Sequence, residues 1–299
     1  MNKNHGASAR VVRTRLVGGI GNQLFSYFAG LVLACRLKAQ LEIDVTDIRK
    51  EGSLHQVSIE TLLVSGRFVS RRRDFFSDLL FRFKVKLFRQ LSAFNKTSYY
   101  VSPVVGYDPR LYEINRSVTI DGYFQSYKYF YAIKDEIPPI KLDSKSEWMR
   151  GMESSLLGVP FASIHVRRGD YAKLSDTYGL LGKEYYSKAI EILRGTYPEL
   201  IFLIFSDDIN QARSLLHDLV PESSIWVDPP KGNNSVESLV LMSLATANII
   251  ANSTFSWWGA ALNSRQDLVI APDKWFRGMV DPKLLIPPHW KLVESSWEF

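Results

Sequence analysis

Residues 165–171 read HVRRGDY, a histidine, two arginines and an aspartate within six positions, entered from the apolar run VPFASI and left through Gly169. A guanidinium group is a planar fork that holds a phosphate through paired, charge-assisted hydrogen bonds. A phosphate clamp is therefore the chemistry this spacing offers. Along an extended strand, alternation puts His165 and Arg167 on one side and Arg168 on the other. One arginine is expected to face a ligand and the other to pair structurally, with Asp170 as the partner at hand. The competing reading is a surface ion pair of little energetic weight.

Three further clusters have comparable character. In GGIGNQ (residues 18–23), Gly18, Gly19 and Gly21 allow a tight turn that brings backbone N–H groups to a ligand at a helix N-terminus. The run stops short of G-x-G-x-x-G and lacks an acidic residue placed for a ribose, so a plain tight turn stands as the alternative. Asn22 and Gln23 open an apolar helix, where two amides suit a sugar or phosphate better than a core. In FSDD (205–208), a carboxylate accepts two donors side by side, which matches the N1–H and amine edge of guanine. Asp207 is assigned to the ligand and Asp208 to capping the next helix. In NSTFSWWG (252–259), Ser253 and Thr254 begin a helix whose free N–H groups suit a diphosphate. Phe255, Trp257 and Trp258 read first as packing. The sequence contains no D-x-D, H-E-x-x-H, G-x-S-x-G or G-x-x-x-x-G-K-[ST]. A departing diphosphate would then be neutralised by arginine and helix N-termini, and no metal is expected.

All four clusters follow apolar strands, and the carboxyl ends of parallel strands line the ligand crevice of a doubly wound sheet. The opening is βαβ: a strand over 11–17, a helix from about 22 to 38 and a strand over 41–45. Strands follow at 161–166, 200–205, near 225 and at 248–252, with helices over 183–194, after 208, over 236–247 and from 255. Near-continuous apolar strands indicate parallel sheets buried on both faces. The expected fold class is α/β, with two Rossmann-like domains facing a central cleft. Residues 1–155 are expected to form the N-terminal domain and residues 156–299 the C-terminal one, with the Pro-Pro passage over 134–160 leading between them.

Composition sets the outer bounds. A chain of 299 residues, 46% hydrophobic and 23% charged, is an ordinary globular protein with room for two cores. A net charge of +6 favours anionic partners. Cys35 is the single cysteine, which excludes a disulfide framework. The polar, basic start lacks the apolar core of a signal peptide, and no run of about 18 apolar residues follows. A cytoplasmic location is expected. Over 67–94, Phe76, Leu80, Phe83, Leu87, Leu91 and Phe94 recur at spacings of three and four between basic residues, the pattern of a basic amphipathic helix. It either covers its own domain or touches the inner face of the plasma membrane peripherally, with the substrate then carried on a lipid. A nucleic-acid binder is disfavoured because no exposed aromatic platform accompanies the basic residues.

The motifs GGIGNQLF, HVRRGDY and NSTFSWWG, in this order, resemble those of the α1,2-fucosyltransferases of glycosyltransferase family 11, over roughly 12–272. The resemblance implies an inverting, metal-independent transferase of GT-B-like architecture, its 1–155 domain binding the acceptor and its 156–299 domain the donor, that moves L-fucose from GDP-fucose to the 2-hydroxyl of a terminal galactose. Its acceptor would be a galactose-ended oligosaccharide or lipid-linked glycan of a surface polysaccharide, with no cofactor beyond the donor. By motif, Arg167 holds the diphosphate, His165 and Asp207 lie against guanosine, Ser253 and Thr254 contact the phosphates, and Asn22 sits beside the reacting sugar. The candidate catalytic set is Arg167, Asn22 and Asp176, the last as base. The donor-binding set is Gly19, Gly21, His165, Arg168, Asp170, Asp207, Ser253, Thr254 and Phe255. The alternatives are a non-catalytic GDP-sugar-binding protein and a fucosyltransferase of different linkage.

Overall fold

The computed structural model describes residues 9–50, 52–53, 55–71, 80, 83, 85, 98–231 and 235–298. They form two compact units. The first holds the described residues up to Val57, Val64–Pro138 and Pro282–Leu285, and the second holds Ser58–Leu63, Pro139–Asp281 and the residues from Ile286 on. Each is built on one parallel sheet, the α/β class that the strand patterns predict and that the GT-B-like expectation requires.

In the first unit, strand β1 (Val11–Arg15) buries Val12 and Thr14 on its inner face and leaves its other residues half-buried. It runs into helix α1 (Ile20–Leu37), whose residues are apolar nearly all round; such a helix is stable only when enclosed. Gly30 permits the enclosure, since a Cβ there would stand 2.6 Å from Thr14 Cβ on β1. Strands β2 (Gln40–Asp44), β3 (Arg67–Val69), β4 (Tyr99–Val101) and β5 (Val118–Asp121) complete the order β3-β2-β1-β5-β4, every pair parallel. A short helix, α2 (Tyr127–Tyr131), follows, capped by Ser126.

The second unit opens with helix α3 (Glu147–Ser155), then strand β6 (Phe161–Val166), helices α4 (Ser175–Tyr178) and α5 (Lys183–Thr196), strand β7 (Ile201–Ser206) and helix α6 (Ile209–Leu216). Strand β8 (Ile225–Val227), helix α7 (Ser235–Met242), strand β9 (Ala247–Ile249), helix α8 (Thr254–Ala261) and strands β10 (Leu268–Pro272) and β11 (Lys291–Val293) follow. The order is β11-β10-β9-β6-β7-β8, all parallel. Every residue of β6 is buried. From β6 the chain adds strands in one direction, and from β9 in the other, so the topological switch point lies between them.

Two findings depart from the sequence reading. The chain leaves the first unit at Pro138–Pro139, not near 155, because α3 belongs with α7: the carboxylate of Glu237 accepts both the backbone N–H (2.6 Å) and the hydroxyl (2.7 Å) of Ser146, the cap of α3. Residues 67–69, read as the start of a basic helix, form β3 alongside β2. Leu80, Phe83 and Val85 are helical, and the other residues of the expected basic helix from 72 to 94 lie outside the described residues. Among the described residues, no helix is long and apolar enough to cross a membrane.

Candidate active site

Strand β6 ends at Val166 between β7 and β9, so the three polar clusters of the second unit leave adjacent strands at one edge. Alternation holds past the strand end. Arg167 remains partly exposed, its guanidinium 4.9 Å from the Tyr171 ring centroid and its Nη1 3.2 Å from Asp207 Oδ2. Arg168 turns the opposite way and is 2% exposed, donating to the backbone oxygen of Leu181 (3.1 Å) and to Glu298 Oε1 (2.8 Å). Arg168, expected among the nucleotide contacts, is thus enclosed beneath the loop, and its ion-pair partner is Glu298. The side chain of Asp170 lies outside the described residues.

Asp207 holds this loop from the next strand. Its Oδ1 accepts the Arg168 backbone N–H at 2.8 Å, and its Oδ2 faces Arg167 and also fills the space a Cβ on Gly169 would need. Asp208 caps α6 as its position predicts, accepting from Gln211 N at 3.0 Å. On the other side of β6, Ser253 caps α8 by accepting from Phe255 N, and Thr254 is the first helical residue, half-buried. Asn252 fastens the loop from below, donating to the carbonyls of Tyr178, Gly179 and Trp275. Phe255 stands 5.6 Å, centroid to centroid, from the ring of His165. Trp257 and Trp258 are core residues.

His165 is buried. Enclosure, with the Arg167 cation beside it, pushes its imidazole down to about 3, so the ring is neutral at ordinary pH. Its carbonyl accepts from Tyr186 Oη at 3.1 Å, and its Nδ1 makes no hydrogen bond among the described residues. The edge therefore presents one partly exposed guanidinium, a neutral imidazole, a carboxylate and a hydroxyl-bearing helix start. A partly exposed guanidinium and a helix start at the ends of neighbouring strands are groups able to hold a diphosphate. Asp176 lies on α4, exposed to solvent, with its backbone carbonyl against Gly278. Among the described residues no cluster of His, Cys, Asp or Glu is arranged to hold a metal ion.

The first unit carries its own cluster at the equivalent edge. Gly18 takes φ 69°, and Gly19 caps α1, which starts two residues earlier than the sequence spacing predicts. Gly21 is buried in the first turn, where N–H groups have no intrahelical acceptor. Gln23 stitches the turn, donating to the carbonyls of Gly18 and Gln56 at 2.8 Å each. Asn22 Oδ1 accepts from Gln125 Nε2 at 3.0 Å. Sequence reasoning missed Gln125 and Glu298. For Gln125 the signal existed: VTID followed by GYFQ is another apolar strand running into a polar end.

Two parallel-sheet units, with polar clusters at the carboxyl edges of their central strands, define a GT-B-like glycosyltransferase. The crystal structure of the NodZ α-1,6-fucosyltransferase soaked with GDP-fucose shares this fold, with a TM-score of 0.50 over 85% of this chain and 93% of that one at 16% identity. Residues 82–281 match the model of glycosyl transferase family 11, and the chain belongs to that family. An α-1,2-colitosyltransferase of Escherichia coli is 30% identical, with 95% of this chain and 99% of the relative covered. The O-antigen biosynthesis glycosyltransferase WbnK of Escherichia coli is 29% identical over 90% and 96% of the two chains. A galactoside 2-α-L-fucosyltransferase of Caenorhabditis elegans is 25% identical over 93% and 78%.

Proposed function

We propose that this glycosyltransferase moves L-fucose from GDP-fucose, with inversion, to the 2-hydroxyl of a terminal galactose, as a step in building a surface polysaccharide of O-antigen type. The observation that carries the reading is the convergence of Arg167, Asp207 and the Ser253–Thr254 helix start on the switch point between β6 and β9. Transfer breaks the bond from the anomeric carbon to the diphosphate oxygen while the acceptor hydroxyl forms the new one. Negative charge grows on the departing GDP. Arg167 and the α8 N–H groups are already aimed there, so they stabilise the transition state more than the ground state. Asp207 orients Arg167 and, with neutral His165 and Phe255, borders the guanosine. Asp170, Gly19 and Gly21 complete the donor contacts, and Asn22 lies beside the sugar. Asp176 is the candidate base for the acceptor proton; His165, held neutral down to about pH 3, is too weak a base for that task.

No metal or further cofactor takes part in this reading. The test is GDP release from GDP-fucose with a panel of galactose-ended acceptors, with and without EDTA, and the product linkage read by NMR. Acceptor-dependent, EDTA-resistant release with an α1,2 product is expected. GDP binding without turnover would make the protein a non-catalytic GDP-sugar binder instead. A second reading is favoured by the colitosyltransferase relative. Colitose lacks the 3-hydroxyl of fucose, so direct competition between the two GDP-linked donors decides.

A further inference from the structure

Gln125 lies on the turn that leaves β5 through Gly122. Phe124, fully buried, holds this turn with φ 49°, a conformation a bulky residue keeps only when its surroundings enforce it. The Gln125 backbone N–H donates to Val105 O at 2.7 Å. Its side chain reaches across to the first turn of α1 and donates to Asn22 Oδ1 at 3.0 Å. That bond occupies the carbonyl of Asn22 and leaves its amide nitrogen as the donor on this edge, beside Gly18, where a Cβ would approach it to 2.8 Å. Gln125 itself is only 7% exposed, and its Oε1 is buried with no hydrogen-bond partner among the described residues. A buried amide oxygen without a donor is costly, so an arrangement that retains one calls for a ligand group to satisfy it. The pair offers one N–H donor and one carbonyl acceptor, both uncharged. A hydroxyl complements this, giving one O–H and accepting one N–H. A phosphate offers only acceptors and would be repelled by Oε1.

We propose that Gln125 is a specificity-determining residue that, with Asn22, binds a hydroxyl of the terminal hexose of the acceptor in the N-terminal unit. The proposal rests on the reading of a galactose-ended acceptor and adds the residue that recognises it. The experiment is saturation-transfer NMR titration of methyl β-D-galactoside and its 3-, 4- and 6-deoxy forms against the native protein and Gln125→Met. Methionine fills the same volume without the amide, and the thermal midpoint and GDP affinity establish that the variant is folded. Native protein should bind the parent sugar at least tenfold more tightly than the variant does. One deoxy sugar should lose fivefold or more with the native protein and nothing further with Gln125→Met, the signature of a direct contact. Affinity within twofold in the variant, identical deoxy profiles in both proteins, or no galactoside binding by the native protein would overturn the proposal. Turnover with GDP-fucose is scored separately: Gln125-dependent galactoside binding without transfer defeats only the reaction assigned above, and transfer with Gln125-independent binding defeats only this inference.

Discussion

At the carboxyl end of β6 the strand pleat sends two adjacent guanidinium groups to opposite sides. Arg167 stays partly in solvent beside Tyr171 and Asp207, while Arg168 goes under the loop to Glu298. On the proposed function, it is Arg167 that meets the departing diphosphate. Arg167→Ala should lower kcat about a hundredfold, roughly 3 kcal/mol of transition-state stabilisation, as read by initial-rate kinetics at saturating donor. His165 supplies a second measurable signature. Its folded-state value is pushed from 6.5 down to about 3, so on acidification the unfolded chain takes up this proton first. The stabilisation from keeping the ring neutral is complete above about pH 6.5 and is lost progressively towards pH 3. Between pH 7 and 5 it should account for about 2 kcal/mol of the fall in stability. Urea titrations at the two pH values should show that fall in the native protein and a correspondingly smaller one in His165→Gln.

Among the elements, α1 bears the most weight in positioning, because its start sets Asn22 and its length fills the core of the first unit. Its contact with β1 depends on the missing side chain at residue 30. Gly30→Ala would bring a methyl group to 2.6 Å from Thr14 Cβ, and relief requires moving the helix off the sheet. Despite the better helix propensity of alanine, a loss of about 1–3 kcal/mol is expected from overpacking, measured by chemical denaturation. In the second unit, loops and not helices align the groups. Asp207 ties the 167–169 loop to β7, Asn252 ties the approach to α8 to three carbonyls, and Glu298 neutralises the enclosed Arg168.

Taken as a whole, the molecule divides its chemistry between two sheets. The guanidinium, carboxylate and helix-start groups belong to the second unit, and the Asn22–Gln125 amide pair belongs to the first. GDP alone should therefore stabilise the protein by about 2.7 kcal/mol at a hundredfold excess over its Kd. Hydrogen–deuterium exchange should show GDP-dependent protection around 166–169, 206–208 and 253–256, with no change around 122–126. Protection of the 122–126 turn by GDP would contradict this division.

Much of this could be read from residue order, and the rest has a physical limit. Apolar runs long enough for strands, each ending in glycine, arginine, aspartate or serine, are local patterns, and they sufficed for the parallel α/β class, the capping duty of Asp208 and the opposite facing of Arg167 and Arg168. Burial periodicity misled at 67–69, because three residues with a basic neighbour carry no signal that separates a β-strand edge from a helix start; hydrogen bonds to β2 decide it. The boundary at Pro138–Pro139, the Glu298 counter-charge to Arg168 and the Gln125–Asn22 bond each join residues far apart along the chain, at separations of 91, 130 and 103 for the bonds concerned. Contacts of that kind are products of strand order, and strand order follows from how the helices cover both faces of each sheet. Local composition names the groups able to do chemistry; which of them meet at one edge is settled by packing.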